Sequence, residues 1–580
     1  MKTASQDRSK WLGALAVLTT CSLVMSMNEA DPDLWGHLQY GREILSTGEL
    51  PKTATWTFTA EGYRWINHEN FAELAMAAAY DKFGHWGLTL GKYILGLFVI
   101  GLSYWSARRQ NVPPITIGAM CLVAAYAIEF HWHFRPQVLG YGCFAVLCFL
   151  LKQAVDRLSS SAAHPVGIRD LAPLLGTIPL MAFWANSHGS FAAGLAVGMS
   201  VLGMLALQLM LGPVLTLFPQ ASGLRSNRWA LVSGLVTVGF LALAATFGNP
   251  YGIQLHLWLW DALHVPRPEI RDWEGISLVS LDRQALMFLV ITSSLVAVAA
   301  RSRRPSWPLL ITALLIATQA YSHIRHLPLL AILWLSWFPK SLEDLRSRVT
   351  AHFRESVPKT ARPISTRRRS WQPIFLAAWI AVVGVLTWPR IAQLRVDGTR
   401  FPVDAVRFLV DQRLEGNTLV TFNWAQYAIG VFAHEEMESR VAFDGRFRTC
   451  YPQSVIDRHF DFLFGSDYDG PRYRSPESGP IDPIATLEVD QPDFVLISRK
   501  QRPSIRIMES VTDDWDLLYQ DGLAQIWARK DKEPRRRSVE TDEIATSIAA
   551  FPAFPSTSRT LRDRRVATTE NRFTSPQKER

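Results

Sequence analysis

Cysteine is scarce, with five in 580 residues. Cys21, Cys121, Cys143 and Cys148 fall inside apolar stretches and Cys450 stands alone in a polar region, so neither a disulfide framework nor a CxxC metal site can be drawn. Thiol redox chemistry has little to work with here. Charged residues are also few, at 19%, and no repeat of fixed period recurs, which excludes a repeat array. The formal net charge of +9 is unevenly spread. Residues 339–370 hold nine Lys/Arg against three Asp/Glu, and 534–580 hold ten against six, which leaves the rest nearly neutral. A nucleic-acid partner therefore has no support, because the basic residues sit in a linker and a tail rather than on a folded face.

Apolar residues are abundant. They make up 48% of the chain and gather into blocks, several of which approach the roughly 20 residues needed to cross about 30 Å of hydrocarbon. A soluble protein of this length would divide into three or four domains, and the blocks exclude that organisation. The pattern predicts about eleven spans, at 11–27, 86–105, 114–130, 138–151, 171–185, 191–211, 229–247, 285–300, 307–321, 327–337 and 371–388. The fourth, fifth and tenth are short.

With Lys2, Arg8 and Lys10 on the cytoplasmic side, alternate loops receive Arg108–Arg109, Lys152 with Arg157 and Arg169, Arg225 with Arg228, Arg301 with Arg303 and Arg304, and the basic stretch 340–369. This positive-inside pattern predicts a multi-pass plasma (inner) membrane protein whose N-terminus is cytoplasmic. No small-residue cleavage site follows Met27, so the first block reads as a retained signal anchor. The outer segments are then 28–85, 131–137, 186–190, 248–284, 322–326 and everything after 390. Ten of the 14 histidines lie in the first five of these. Interfacial anchoring would account for a belt on both faces, but less well for a concentration on one.

Residues 391–533 predict a soluble, extracytoplasmic α/β domain, with one helix in VDAVRFLVDQ and strand-like runs in NTLVTFN, SRVAFDG, DFVLISR, WDLLYQDG and LAQIWARK. From 534 the chain is rich in Arg, Ser, Thr and Pro without periodicity, which predicts a disordered basic tail. The fold class expected is thus mainly α, a polytopic transmembrane bundle over 1–390 followed by the soluble α/β domain.

The first outer segment, 28–85, is long for a loop and is the richest in chemistry. Glu29, Asp31 and Asp33 alternate where the first span ends. Carboxylates so spaced suit a divalent cation or a general base. They equally suit the positive end of the helix that Trp35, Leu38, Ile44 and Leu45 predict, ended by Gly48 and Pro51. Further on, His68, Glu69 and Glu73 open a second amphipathic helix that could rest on the membrane surface. Elsewhere HWHFRPQ supplies His131, His133 and Arg135, WANSHGSF supplies Asn186 and His188, FGNPYG supplies Asn249 and Tyr251, and SHIRH supplies His323, Arg325 and His326. Arginine suits forked contacts to phosphate, and histidine suits a proton or a metal.

The succession of first span, acidic group, helix ending R-E-x-L-x-x-G-x-x-P (Arg42, Glu43, Leu45, Gly48, Pro51), W-x-x-H-E segment and second helix ending F-G resembles the GT-C superfamily of polytopic glycosyltransferases. Within it, the aminoarabinose and mannosyl transferases that use polyprenyl-phosphate sugars are the most similar. The specific likeness covers about residues 10–90, and up to 390 it is architectural. Asp33, nine residues before Arg42, matches the family's acidic position. Leu34 stands where the family has a second acid, and Gly36–His37 replace its Arg/His-Tyr, so Asp31 is the candidate second carboxylate.

The resemblance implies a transferase that moves a sugar from a polyprenyl-phosphate donor to a lipid, glycan or protein acceptor. Asp33 and Asp31 would be catalytic or hold a divalent metal (Mg or Mn), and His37, Arg42, His68, Glu69, Arg135, His188 and Arg325 would bind substrate. In the soluble domain, Asn423, Trp424, Tyr427, Asp444 and Arg446 lie in a region similar to the W-W-D-Y-G region of oligosaccharyltransferases and are candidates for acceptor contact. Two other classes fit the sequence: a flippase or transporter for a lipid-linked glycan, and a non-catalytic assembly protein. Transport would need ionisable groups at mid-membrane depth, whereas Glu129 and most other charges lie at span ends. The missing second acid is the best argument for a non-catalytic protein.

Overall fold

A computed structural model describes residues 2–159, 167–211, 222–302, 305–355, 371–531 and 535–536. Arg303, Arg304, the whole of 356–370 within the basic stretch and residues 537–580 lie outside the described residues.

Among the described residues, six helices are long and apolar enough to cross a membrane. They are α4 (His85–Arg109), α6 (Gln137–Ser159), α8 (Phe191–Leu211), α9 (Ser222–Ala245), α11 (Arg283–Arg301) and α15 (Gln372–Ile391). Shorter apolar helices complete the bundle: α1 (Lys2–Val24), whose apolar part begins at Trp11, α5 (Pro114–Glu129), α12 (Trp307–Ser322) and α13 (Leu327–Trp337). The expected eleven spans are therefore six long ones with shorter companions.

The difference has local causes. The block 171–185 is broken: a 3₁₀ stretch Ile168–Gly176 containing Pro173 precedes the short α7 (Thr177–Ala185), because proline offers no N–H and interrupts the helical ladder. Block 327–337 is only α13, and every one of its residues is buried. At 1.5 Å per residue it spans about 17 Å, so it is a core element enclosed by the other helices. Block 138–151, short in the sequence reading, belongs to a 23-residue helix.

Two helices of the first outer segment, α2 (Leu34–Thr47) and α3 (Asn70–Phe83), pack on each other and, through α3, against α4. Gly48, at φ +70°, ends α2 in the left-handed conformation that glycine adopts without strain. α10 (Ile253–His264) lies in the 248–284 segment, and α14 (Pro339–Glu355) follows α13.

The soluble region is built on a five-stranded mixed sheet in the order β3-β2-β4-β6-β5. Its strands are β2 (Asn417–Val420), β3 (Arg440–Val441), β4 (Phe494–Ser498), β5 (Trp515–Gln520) and β6 (Ala524–Arg529), which correspond to the five strand-like runs of the sequence. β2 runs parallel to β3 and β4, while β6 runs antiparallel to β4 and β5. All five residues of β4 are buried, as expected of a central strand. Helices α16 (Val403–Asp411), α17 (Ala425–His434), α18 (Gln453–Phe464), α19 (Ala485–Val489) and α20 (Arg502–Ser510) connect and cover the strands. A separate pair joins β1 (Leu414–Glu415) to β7 (Arg535–Arg536), the described part of the basic tail.

The first outer segment shares its core with this domain. Trp35 of α2 meets Phe401 and Tyr427 edge-on, each at 4.9 Å, and Leu34 and Leu38 join the same buried cluster. Tyr40, Ala54, Ala60 and Trp65 enter a second cluster with Phe443, Phe447 and Tyr451. Apolar packing of this kind, about 25 cal/mol per Å² removed from water, fixes the carboxylates at the start of α2 between the bundle and the soluble domain.

Candidate functional site

A cavity of about 740 Å³ lies at this junction. It receives residues from the first outer segment, the 130–137, 186–190, 248–284 and 322–326 connections, and the soluble domain. The sequence reading placed these segments on one face, and the structure brings them together.

Asp33 precedes α2 yet makes no side-chain capping bond. Its carboxylate faces Arg135 instead: Arg135 Nε lies 2.5 Å from Asp31 Oδ1, and its Nη2 lies 3.1 Å from Asp33 Oδ2. Asp31 Oδ1 also accepts the backbone N–H of Asp33 at 3.0 Å. One guanidinium thus bridges both carboxylates. Asp31 is buried and Asp33 opens toward the cavity. Burial opposes ionisation of both. For Asp31, Arg135, His133 and the hydrogen bonds outweigh it and hold the carboxyl below its usual range. For Asp33 burial prevails, helped by the charges of Asp31 and Glu69 against the pull of Arg135, and its pKa is raised. Paired carboxylates whose environments drive them apart divide the acid and base roles between them.

A second cluster adjoins the first. His37 Nδ1 lies 3.0 Å from Glu73 Oε1 and 4.0 Å from Glu69 Oε2. Burial disfavours the imidazolium, but the Glu73 hydrogen bond and the charges of Glu69, Glu73 and Asp33 overcome that and lift His37 to about 9. Glu73 Oε2 accepts from Asn67 Nδ2 at 2.6 Å. Glu69 faces His188, whose Nε2 lies 3.3 Å from Glu69 Oε1. The backbone N–H of Ser190 donates to His188 Nδ1 at 3.1 Å, so the ring proton resides on Nε2 and points at Glu69. Burial, stronger than the pull of Glu69, lowers His188 to about 3 and keeps it neutral.

The ligand atoms of His37, Glu69 and Glu73 all lie within 4.8 Å of one another, so this buried cluster could coordinate a metal ion. One imidazole and two carboxylates match a transition metal better than an all-oxygen site would. Between Asp31 and Asp33, where the sequence reading put the metal, Arg135 already supplies the positive charge.

Arg325 lines the cavity with its guanidinium 4.6 Å from the Trp273 ring. His131 Nε2 reaches Asp272 at 3.2 Å, and its Nδ1 contacts Tyr141 Oη at 2.8 Å. Asp272 is held below the usual carboxylate range because His131, Arg135 and Arg325 outweigh its burial. The His68 ring lies tilted against Trp258 with centroids 5.2 Å apart, and Gly189 leaves room for it, since a Cβ there would lie 2.8 Å from His68 Cδ2.

Of the predicted residues, Asp31, Asp33, His37, His68, Glu69, Arg135, His188 and Arg325 all line the cavity. Arg42 does not. It pairs with Asp81 at 2.5 Å and lies 5.4 Å from the Tyr80 ring, tying α2 to α3. In the soluble domain only Asn423 and Arg446 of the acceptor candidates reach the cavity. Trp424 and Tyr427 are core residues, and Asp444 is fully buried. It accepts from Tyr451 Oη at 2.6 Å and pairs with Arg446, which lies against the Tyr40 and Trp65 rings. Sequence reasoning passed over Arg267, Glu269, Asp272 and Trp273. Their signal was the run RPEIRDWEG, dense in charge within an outer segment from which only FGNPYG was singled out.

The chain is similar in structure to ArnT from Cupriavidus metallidurans bound to undecaprenyl phosphate, at 13% identity and a TM-score of 0.51, covering 89% of this chain and 97% of that one. The fold is GT-C-like. A second GT-C likeness is to the archaeal oligosaccharyltransferase AglB from Archaeoglobus fulgidus in complex with an inhibitory peptide and a dolichol-phosphate, at 12% identity and a TM-score of 0.50, covering 86% of this chain and 69% of that one. No protein-family profile and no curated protein sequence matches. The GT-C-like frame thus rests on shape, and the chemistry has to be argued from the cavity.

Proposed function

We propose that the protein is a membrane glycosyltransferase that uses a polyprenyl-phosphate sugar as donor. The observation that carries this reading is the meeting of the Asp31–Arg135–Asp33 group, the His37–Glu69–His188 group and Arg325 in one cavity at the junction of bundle and soluble domain. The GT-C-like fold adds to it.

The acceptor hydroxyl or amine attacks the anomeric carbon of the donor. The bond between that carbon and the phosphate oxygen breaks, polyprenyl phosphate leaves, and Asp33 takes the acceptor proton. A raised pKa suits Asp33 to this task, since a general base is most effective when its pKa approaches the working pH. Arg135 holds Asp33 in place and, through Asp31, is itself held. Arg325, free of any ion pair among the described residues, is placed to stabilise charge on the departing phosphate. His37, Glu69 and Glu73 would hold a divalent metal, with Mn better matched than Mg to a site containing imidazole. Such an ion would supply further positive charge for the phosphate.

The positive-inside pattern supports placing this cavity and the domain 391–533 on the outer face of the plasma membrane, with a lipid, glycan or protein as acceptor. The flippase reading is weakened at Glu129, which pairs with Arg283 at a helix end rather than facing a central path. Cells lacking the native protein provide the test. If Asp33→Asn and Asp31→Asn variants restore the missing glycan modification as fully as wild type, the catalytic reading is wrong and an assembly role takes its place.

A further inference from the structure

Resting on the transferase reading, we propose that the cavity contains a second anion subsite, formed by Arg267 and Arg448 beside Trp273. It would take the phosphate or carboxylate group of a negatively charged acceptor.

The two arginines come from different parts of the chain, the 248–284 segment and the soluble domain, and both line the cavity. Arg267 gives one N–H to the Ala262 carbonyl at 3.0 Å, and its guanidinium lies 4.7 Å from the Trp273 ring. Arg448 gives Nε–H to Gln453 Oε1 at 2.8 Å and lies 4.7 Å from the Phe447 ring. After these bonds Arg267 Nε and Arg448 Nη1 are buried and have no hydrogen-bond partner. Neither arginine has an ion pair within 4.0 Å among the described residues. The neighbouring carboxylate is Glu269, which accepts the backbone N–H of Tyr473 through Oε1, leaves Oε2 without a hydrogen-bond partner, and offsets part of the charge of Arg448 from beyond ion-pair distance.

Buried donors without acceptors and cations without counter-ions are costly, and an incoming anion satisfies both. The charges also oppose one another. Burial lowers Arg267 to about 9, and Arg448 and Arg325 press it further in that direction. Glu269 offsets part of this repulsion at Arg448, and an anion entering the cavity would supply further negative charge to the arginines. Arginine forks donate to phosphate and carboxylate oxygens equally well in geometry.

The subsite is separate from the Asp33 group, and Trp258 links the two. Its Nε1–H donates to the Arg448 carbonyl at 3.2 Å, and its ring meets His68. An indole between two polar clusters offers an apolar face to a sugar ring. An acceptor could therefore lay its ring on Trp258, with its charged group at Arg267 and Arg448 and its nucleophile toward Asp33.

The test uses the purified full chain in detergent, with inorganic phosphate and glucuronate as probes and isothermal titration as readout. At least one probe is expected to bind, and its Kd to rise about tenfold or more in Arg267→Gln and in Arg448→Gln. In Asp33→Asn the Kd should stay within about twofold of wild type. Arg448→Lys keeps the charge without the fork, so it should lose part of the affinity at an unchanged melting temperature, which separates recognition from misfolding. Binding of phosphate alone would assign a phosphorylated acceptor, and binding of glucuronate alone a carboxylated one. The proposal is overturned if neither probe binds, or if affinity depends on Arg325 and not on Arg267 and Arg448. Absence of sugar transfer by the wild-type protein from any polyprenyl-phosphate donor would remove the transferase reading without touching this binding result.

Discussion

Gly445 lies so close to Asp33 that a Cβ built on it would sit 2.3 Å from Asp33 Oδ1. The soluble domain therefore forms part of the wall against which the carboxylate is positioned. The same added atom would meet Gln426 Nε2 at 2.9 Å, so two side chains would have to move. Gly445→Ala is expected to lower turnover by about tenfold or more, because displacement of a reacting group by an ångström costs rate steeply. Donor affinity should change far less. Steady-state kinetics that separate kcat from KM, alongside a melting curve to confirm folding, provide the check.

Arg135 and Asp31 should be coupled in stability. Asp31 is 5% exposed, so Arg135→Gln leaves a buried carboxylate without its counter-ion, a loss of roughly 3–5 kcal/mol in comparable buried pairs. Adding Asp31→Asn removes that charge. The double variant is expected to melt higher than Arg135→Gln alone, and a double-mutant cycle of thermal midpoints in detergent measures the coupling. Equal midpoints for the single and double variants would contradict the bridge.

His37 makes stability depend on pH on the alkaline side. Its folded pKa of about 9 exceeds the reference 6.5, so the contribution is fully present below about pH 6.5 and is lost as pH rises through 9. Its upper size is on the order of 3 kcal/mol. In chelator-treated protein the melting temperature should fall between pH 6.5 and 9.5, and His37→Gln should flatten that fall. A wild-type profile that remains level over this interval would contradict the assigned ion pair with Glu73.

How much of this was legible beforehand depended on the range of the interactions. The α2 helix, its Gly48 end and the five strands follow from local periodicity and turn residues, and all are present. The span count exceeded the six long helices, because 11–27, 114–130, 171–185, 307–321 and 327–337 form only shorter apolar helices, and hydropathy reports apolar character without distinguishing lipid from protein as the surroundings. Asp33 stood out by its spacing to Arg42, yet Arg42 itself pairs with Asp81, and the residue that reaches the carboxylates is Arg135, 104 positions after Asp31. Glu73 sat in a helix opening and looked like an end-of-helix acid, while its partner His37 lies one helix earlier. Only tertiary packing joins such pairs.

A metal at His37, Glu69 and Glu73 must displace the His37 proton. Mn2+ should therefore bind more tightly at pH 8.5 than at pH 6.5, and raise the melting temperature accordingly. Glu73→Gln should abolish the increase, whereas Asp31→Asn should leave most of it. Thermal shifts with Mn2+ and Mg2+ across pH give the answer. A metal effect that follows Asp31 and not Glu73 would move the site to the acidic pair.

The central claim is that Asp33 removes the acceptor proton while the sugar leaves polyprenyl phosphate. It is tested most directly in membranes containing the protein, supplied with a panel of labelled polyprenyl-phosphate sugars and total cell-envelope acceptors, by following release of polyprenyl phosphate. One donor should be consumed by wild type, with the rate reduced about a hundredfold or more in Asp33→Asn, the usual scale for loss of a general base. Consumption of that donor at equal rates by wild type and Asp33→Asn would contradict the account, as would the absence of consumption of any donor by wild type.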